Sequence, residues 1–362
     1  MHSTAWAEID LSALRHNLHC VRELAPQSRV VAMIKADAYG HGLLPVARCL
    51  APLADKLGVA RLEEALALRE AGIDCPLLLM GTLLDDDALA LCAWHGIALA
   101  VHSLDLARQI ARLSLPGPLE LWLKLDTGMN RLGLTADELL QARALLAEKQ
   151  PQATLRLMTH FSSADDLDST ATAGQLERFS ALAGQFPELE TSLANSAGII
   201  AWPASHCDWV RPGIMLYGDN PTPLDGPRLR PVMHLKSRVL AVKTVAAGDG
   251  VGYNALWTAS APGRIAAIGI GYGDGYPRQL GNGTPVEING ELLPLVGRIS
   301  MDICSVDISR ARQPVQVGDE VTLWGGRPTA AEIATRAGTI SYHLYTGVTR
   351  RVPRVYLDDP DY

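Results

Sequence analysis

Between residue 30 and about residue 218, short apolar runs alternate with helix-forming segments, and this alternation limits the folds that the chain can adopt. Repeated strand and helix units predict a parallel sheet, because a parallel neighbour is reached through a crossover that is usually a helix. Eight such units favour a closed (β/α)8 barrel over an open sheet. The runs are residues 30–34, 57–60, 76–80, 97–101, 119–125, 154–160, 191–195 and 208–217.

The segments between these runs have the composition of helices. Residues 62–72, with the sequence LEEALALREAG, place helix formers before a glycine at the expected cap. A Rossmann-type sheet is the competing arrangement, but no Gly-x-Gly-x-x-Gly follows the first run. The sequence therefore predicts an α/β fold with an N-terminal (β/α)8, TIM-like barrel.

The composition changes after the eighth run. Residues 219–227 are rich in proline, glycine and aspartate, which is typical of a linker. Beyond them β-rich stretches such as 237–245, 264–269 and 320–324 alternate with glycine turns. We predict a barrel domain over 1–225 and a mostly β domain over 226–362, with residues 1–9 as candidates to pair with the second domain.

The charge balance of the chain limits the classes of partner that it is expected to bind. The 362 residues carry a formal net charge of −7, which argues against nucleic acid or an anionic membrane as the main partner. The N-terminus has no secretory pattern, and no apolar stretch is long enough to cross a bilayer. With six cysteines scattered along the chain, we predict a cytoplasmic protein with reduced thiols.

Polar residues follow several of the predicted strands, where barrel enzymes carry their catalytic groups. These residues are Lys35, Lys124, Asp126, His160 and Ser196, and the eighth predicted strand carries Arg211. A lysine at the rim of a buried strand is partly desolvated, which lowers its pKa and suits it to Schiff-base chemistry. On position alone, a surface lysine that ends the strand is the alternative for Lys35.

Residues 32–42, with the sequence AMIKADAYGHG, closely resemble the pyridoxal-phosphate (PLP) lysine segment of alanine racemases. Further segments resemble blocks of the same family in the same order. They are residues 122–133, 159–165, 208–218, 251–254, 271–278 and 297–302. The resemblance implies a PLP-dependent racemase that interconverts L-alanine and D-alanine, either to supply D-alanine for peptidoglycan or to catabolise it.

The resemblance implies two catalytic bases. Lys35 would bind PLP covalently and act on the D-enantiomer, and Tyr253 would act on the L-enantiomer from the opposite face, since racemisation needs proton transfer on both faces of the substrate carbon. A phenol has an ordinary pKa of about 10, so nearby cations must lower the pKa of Tyr253. We expect His160 and Arg211 to do so.

The resemblance also assigns the cofactor contacts. Arg211 would hydrogen-bond the pyridine nitrogen without giving up its proton, and His160 would belong to the cofactor-binding residues. The expected phosphate contacts are Tyr39, Ser196, Gly213, Ile214 and Tyr342.

For the substrate carboxylate, the resemblance implies Arg131 and the backbone of Met301, with Asp302 beside them. Lys124 would be carbamylated and orient Arg131; the alternative is a plain lysine paired with Asp126. The expected gate residues at the substrate entrance are Tyr272 and Tyr342. Leu256 departs from the threonine frequent at its position in the family, which leaves substrate breadth open.

The family further implies a head-to-tail homodimer whose active sites are shared, with Tyr253, Met301 and Asp302 supplied by the partner subunit. A broad-specificity amino acid racemase of the same fold is the nearest alternative. A metal hydrolase would need a histidine motif that the sequence lacks. PLP-dependent decarboxylases are expected to place an acid where Arg211 stands, and a single-barrel PLP-carrying binding protein would lack the second domain.

Overall fold

The computed structural model describes residues 3–81 and 83–358 and contains two structural units. The barrel unit comprises Leu14–Ala38 and Leu43–Arg230. The β unit comprises the chain up to Ala13, the short segment Tyr39–Gly42, and the chain from Pro231 onward. Strand β1 (Ala5–Asp10) thus begins the chain as part of the β unit.

Parallel strands β2 to β9 close into a barrel in chain order, and β9 pairs with β2. The predicted (β/α)8 barrel is therefore confirmed for the described residues. The strands are β2 (Arg29–Met33), β3 (Lys56–Val59), β4 (Leu77–Leu79), β5 (Ile97–Val101), β6 (Glu120–Lys124), β7 (Thr154–Met158), β8 (Thr191–Ser192) and β9 (Trp209–Val210).

Helices separate the barrel strands and begin at capping side chains. The side chains of Asp85, Ser103 and Thr135 accept hydrogen bonds from backbone N–H groups in the first turns of their helices, which satisfies donors that a helix leaves unpaired. The helices along this part of the chain are Leu11–Leu24, Leu43–Leu50, Leu62–Glu70, Asp86–Trp94, Leu104–Arg112, Ala136–Lys149, Ala171–Ala183 and Ser196–Ala201.

The eighth predicted strand, residues 208–217, is wrong in its length. Only Trp209–Val210 pair in the barrel, and Ile214–Tyr217 form a 3-10 turn. Pro212 lacks an N–H group for a ladder, and the Ser196 hydroxyl accepts the N–H groups of Gly213 and Met215 at 2.8 and 3.3 Å. The strand ends early because these donors bond elsewhere.

The β unit is built on one mostly antiparallel eight-stranded sheet, in the order β13, β16, β15, β14, β17, β10, β1, β18, and the predicted mostly β domain is confirmed. β1 pairs antiparallel with β10 and parallel with β18. The further strands are β10 (Met233–Val245), β11 (Gly250–Val251), β12 (Trp257–Thr258), β13 (Gly263–Ile268), β14 (Pro285–Ile288), β15 (Glu291–Val296), β16 (Cys304–Asp307), β17 (Glu320–Trp324) and β18 (Arg354–Leu357). Two helices, Ala330–Arg336 and Ser341–Gly347, precede β18.

The long strand β10 bends the sheet of the β unit. It pairs with β17 along its first part and with β13 along its last part, with a register shift between Val239 and Ala241. Such an irregularity increases local twist and lets one strand serve two neighbours. In the described part of the chain, none of the helices combines the length and the apolar character that a bilayer crossing requires.

Candidate active site

Lys35 stands just past β2, at the carboxyl end of the barrel, and an unusual turn follows it. The four residues from Ala36 to Tyr39 all have φ between 52° and 55°, which is the left-handed region. Each such residue costs about 1–2 kcal/mol when it carries a side chain. A run of four therefore has to be held by its surroundings.

Local hydrogen bonds hold part of this turn. The N–H of Ala38 donates to the carbonyl of Ile34 at 2.9 Å, and the N–H of Leu43 donates to Oδ1 of Asp37 at 2.7 Å. Gly40 then takes φ 79°, and a Cβ there would lie 2.2 Å from the carbonyl oxygen of Tyr345. Glycine at this position is required by both backbone conformation and space.

Cations surround Lys35 at the barrel mouth. The side chain of Lys35 is exposed, yet the surrounding protein lowers its pKa by desolvation, and the charge of Arg131 lowers it further. Lys124 ends β6 and is only 5% exposed. Burial, followed by the charges of Arg211 and Arg131, lowers the pKa of Lys124 to about 8. These shifts favour neutral amines in both lysines.

Arg211 follows β9 and is buried among backbone carbonyls. Its Nη1 donates to the hydroxyl of Ser192 at 2.6 Å, and Nη2 donates to the carbonyl of Thr159 at 2.6 Å. Nη2 also lies 3.3 Å from Nδ1 of His160. Burial lowers the pKa of Arg211 to about 10, so the guanidinium keeps its proton at neutral pH. Across the residues that the structure describes, no acceptor bonds to its Nε–H.

His160, after β7, is uncharged. Burial, and then the positive charge of Arg211, lower its pKa well below the ordinary value. A neutral imidazole supplies no positive charge. Of the two residues expected to act as cations toward Tyr253, Arg211 alone carries a positive charge.

The loop that carries Arg131 is organised by Asp126. Its Oδ1 accepts the N–H groups of Gly128, Met129 and Asn130 at 2.9, 3.0 and 3.1 Å. Among residues 3–81 and 83–358, no ion pair joins Asp126 to Lys124. The Asp126 carboxylate therefore holds the loop by accepting hydrogen bonds from the loop's backbone N–H groups.

Ser196 and the segment after β9 form a polar pocket edge. The Ser196 hydroxyl oxygen accepts the N–H of Gly213, and Ile214 follows directly. As an acceptor of two N–H groups, the hydroxyl retains its own hydrogen for donation. The structure thus brings together three of the predicted phosphate contacts.

The other two predicted phosphate contacts meet in the β unit. The rings of Tyr39 and Tyr342 have centroids 5.8 Å apart at an interplanar angle of 43°. Tyr39 is buried, and burial followed by the neighbouring Tyr342 raises the pKa of its phenol. The Tyr39 phenol therefore keeps its hydrogen as a donor at neutral pH.

The remaining predicted residues lie on loops of the β unit. The N–H of Tyr272 donates to the carbonyl of Ser300 at 3.1 Å, beside Met301. Asp302 accepts a hydrogen bond from Nη2 of Arg351 at 2.6 Å. Tyr253 is 67% exposed and Met301 51% exposed, so neither side chain belongs to the core of its unit.

Two residues that contact the candidate site were not predicted from the sequence. Ser192 holds Arg211 through its hydroxyl, and Glu64 accepts the N–H of Ala36, next to Lys35. The pattern around Glu64 predicts a helix start, but nothing in it indicates a partner 28 positions earlier. Only the closure of the barrel brings such residues together.

The fold and the site define a class of protein: a barrel enzyme with an accessible lysine among cations that form no ion pair within residues 3–81 and 83–358, suited to a small anionic ligand. Within the described ranges, no group of three or more His, Cys, Asp and Glu side chains is placed to hold a metal ion. This finding gives no support to the metal hydrolase alternative.

Comparison with known proteins identifies the family. Residues 9–221 match the model of the alanine racemase N-terminal domain, and residues 232–356 match that of the C-terminal domain. Alanine racemase from Aeromonas hydrophila is 46% identical over 358 residues, which cover 98% of this chain and 99% of that protein. The chain belongs to the alanine racemase family, isomerases that interconvert L-alanine and D-alanine.

Solved structures agree with this assignment. The crystal structure of the biosynthetic alanine racemase from Pseudomonas aeruginosa is 40% identical, with a TM-score of 0.92 and coverage of 98% of this chain and 99% of that one. Alanine racemase from Bartonella henselae, solved with covalently bound pyridoxal phosphate, is 30% identical, with a TM-score of 0.90 and coverage of 98% and 100%.

Proposed function

We propose that this chain interconverts L-alanine and D-alanine with pyridoxal 5'-phosphate held at Lys35, using Lys35 and Tyr253 as the two bases. The observation that carries the proposal is the accessible Lys35 among Lys124, Arg131 and Arg211, whose charges call for anionic ligands. When bound, PLP withdraws electrons from the substrate amino group and makes the Cα–H acidic. Residues 1–225 then hold the cofactor lysine, and residues 226–362 supply the opposite base.

The donors near Lys35 fit a phosphorylated aromatic aldehyde. Arg211 retains an Nε–H for a ring nitrogen, and its pKa of about 10 means that it donates a hydrogen bond without transferring the proton. His160, beside Arg211, would contact the ring as a neutral group. We assign the phosphate to hydroxyl and backbone N–H donors, namely Tyr39, Ser196, Gly213, Ile214 and Tyr342.

Two bases would handle the substrate proton. The lowered pKa of Lys35 raises the fraction of neutral amine, which is the form that accepts a proton from D-alanine. Tyr253, exposed on its loop, would accept a proton from L-alanine.

The substrate carboxylate would be bound by Arg131 and the N–H of Met301, which donates to no acceptor in the described parts of the chain. Asp302 would support this loop, and Tyr272 and Tyr342 would line the entrance. We propose that Lys124 is carbamylated: its neutral amine adds to CO2, a C–N bond forms, and a proton leaves. The resulting anion would orient Arg131 and offset the local positive charge.

We propose a head-to-tail homodimer in which Tyr253, Met301 and Asp302 complete the partner subunit's site. Exposed apolar side chains on loops of the β unit support this. They are Tyr253, Leu256, Met301 and Ile303, with 67, 50, 51 and 42% exposure. Aromatic residues and methionine are enriched at protein interfaces.

Mixing two inactive variants tests the shared site. Lys35→Ala and Tyr253→Phe each damage one base, and a mixed dimer would regain one intact site only if the bases come from different subunits. Random reassociation of equal amounts should restore about a quarter of the wild-type activity. No recovery from a proven mixed dimer would contradict the shared site, and full activity in a monomer would contradict the dimer requirement.

A spectrum and a substrate series test the reaction. The purified protein should show a visible chromophore that borohydride bleaches, and the Lys35→Ala variant should lack it. Racemisation of alanine should exceed that of serine and lysine. Absence of a chromophore in the wild type would remove the PLP proposal, whereas comparable rates on all three amino acids would favour a broad-specificity racemase.

A further inference from the structure

The carboxylate of Glu64 joins two backbone segments at the mouth of the barrel. Its Oε1 accepts the N–H of Ala36 at 2.6 Å. Its Oε2 accepts the N–H groups of Ala60 and Arg61 at 3.0 and 3.1 Å. The Ala36 N–H belongs to the peptide group shared with Lys35, so this contact holds the backbone of the lysine itself.

The acceptor of the Ala36 N–H, Glu64, lies outside the segment that forms the left-handed turn. The bonds that Ala38 and Asp37 make within residues 34–43 are local, whereas Glu64 lies in the helix Leu62–Glu70 that follows β3. Residues 36–39 occupy a backbone region that alanine and tyrosine avoid. Such a conformation persists where surrounding contacts over-determine it, often at functional sites.

Glu64 also differs in charge from the other groups around Lys35. Arg131, Arg211 and Lys124 are basic side chains, and His160 is neutral. Burial and then Arg131 lower the pKa of Lys35, whereas the negative charge of Glu64 raises it. Glu64 therefore limits the loss of positive charge on the lysine.

We propose that Glu64 is a positioning residue for Lys35: its carboxylate clamps the Lys35–Ala36 peptide group against the start of the next helix and so fixes where the lysine amine stands. The proposal rests on the proposed function, in which Lys35 holds PLP. Glu64 contacts neither the reacting atoms nor a bound ligand, and it acts through the backbone.

Three variants separate shape from charge. Glu64→Gln keeps the shape, removes the charge and replaces one acceptor with an amide donor. Glu64→Asp keeps the charge but is one methylene too short to reach both segments. Glu63→Gln is the matched control, because Glu63 is an exposed carboxylate in the same helical turn.

Hydrogen exchange reports the clamp directly. The Ala36 amide of the purified protein should exchange roughly tenfold faster in Glu64→Gln and Glu64→Asp, since each weakens its hydrogen bond. Glu63→Gln should match the wild type. Unchanged exchange at residues 34–39 in both Glu64 variants would overturn the proposal.

The pH profile of Lys35 reports the charge. PLP added to cofactor-stripped protein is captured at Lys35 with borohydride and measured by mass spectrometry between pH 6 and pH 10. Glu64→Gln should shift this profile to lower pH and reduce its plateau, because the lysine loses its negative neighbour and its fixed backbone. Glu64→Asp should reduce the plateau with a smaller shift. A Glu64→Gln profile identical to that of Glu63→Gln would overturn the proposal.

The outcomes separate the two proposals. If the wild type captures no PLP at Lys35, the proposed function fails, and hydrogen exchange still decides the clamp. If the wild type captures PLP and the Glu64 variants behave like the control in both measurements, the clamp alone fails. Should Glu64→Gln not fold, the comparison of Glu64→Asp with Glu63→Gln decides.

Discussion

At the amino-terminal end of the barrel strands the buried cations meet carboxylates, whereas at the carboxyl-terminal end the cations face one another. Lys56 and Arg156 lie 3.1 and 2.7 Å from Oε1 of Glu120, and Nε of Arg156 lies 2.6 Å from Glu190. Arg29 pairs with Glu190 as well. In the described ranges, Lys35, Lys124 and Arg211 have no such ion pair.

Two tryptophans complete the amino-terminal end. The indole N–H of Trp122 donates to Glu120 and that of Trp209 donates to Glu190, at 2.5 and 2.9 Å. Their rings meet edge to face with centroids 5.5 Å apart, and the guanidinium of Arg29 lies 4.2 Å from the Trp209 ring centre. Charges and aromatic rings together close this end of the barrel.

The pKa of a buried lysine is therefore influenced differently at the two ends of the barrel. Burial lowers the pKa of Lys56, but Glu120 opposes the shift. Burial also lowers the pKa of Lys124, and there the next contributions, from Arg211 and Arg131, add to the shift. Paired cations stabilise the closed barrel, whereas the cations that lack a carboxylate partner among the described residues favour the proposed anionic ligand.

Replacing Lys35, at the carboxyl-terminal end, should have the largest effect on racemisation and little effect on stability. Lys35→Ala should reduce racemisation at least about 10³-fold, because it removes a base and the proposed cofactor attachment. The urea midpoint should stay near that of the PLP-free wild type, since the side chain is exposed. Racemisation rates and urea unfolding measured on the same preparation check both parts; a large loss of stability would place Lys35 with the paired residues.

Glu120→Gln should have the opposite profile. It leaves Lys56 and Arg156 without their shared carboxylate and should lower the free energy of unfolding by about 3 kcal/mol. The kcat of folded enzyme should change little, because the substitution lies at the far end of the barrel. Urea unfolding with a parallel racemase assay measures both. An unchanged midpoint would show that the paired network contributes no stability.

Lys124→Met should stabilise the PLP-free protein in CO2-free buffer at pH 7 by about 2 kcal/mol, because it removes a buried cation without a partner. The folded pKa of about 8 lies below the usual lysine value of 10.5, so the folded protein binds fewer protons between these values. Wild-type stability should therefore rise from about pH 8 to pH 10.5, and the gap to the variant should narrow. Urea titrations across this range test the sign; a destabilised variant would contradict it.

Replacing Glu190 should have the smallest effect on stability, and this effect should change at acidic pH. Burial raises its pKa, but hydrogen bonds from Arg29, Trp209 and Arg156 outweigh that contribution and bring the pKa to about 2. Its stabilisation is present above the unfolded pKa of about 4.3 and is lost as the pH falls toward about 2. Glu190→Gln should cost about 1 kcal/mol at pH 6, since the carboxylate is partly exposed. The difference in urea midpoint should shrink at pH 4 and pH 3, and a constant difference would exclude this titration.

Regular patterns in the chain were sufficient to predict the architecture. All eight apolar runs overlap barrel strands closely or in part, because a strand buried on both faces leaves a continuous apolar run. The run over 208–217 was too long, since the Ser196 hydroxyl accepts the N–H of Gly213 and residues 214–217 form a 3-10 turn. No pattern in the sequence predicted the left-handed residues from Ala36 to Tyr39.

The sequence by itself determined the fold class and the family, and it indicated Lys35 as the candidate cofactor lysine. The apolar period and the local motifs that support these inferences lie in consecutive residues. Only the tertiary structure decided which charges are paired. Glu64 reaches Ala36, and Arg211 reaches Ser192, through contacts between segments far apart in the chain. Desolvation and ion pairing depend on such contacts, so the same residue types form ion pairs at one end of the barrel and, among the described residues, have no carboxylate partner at the other.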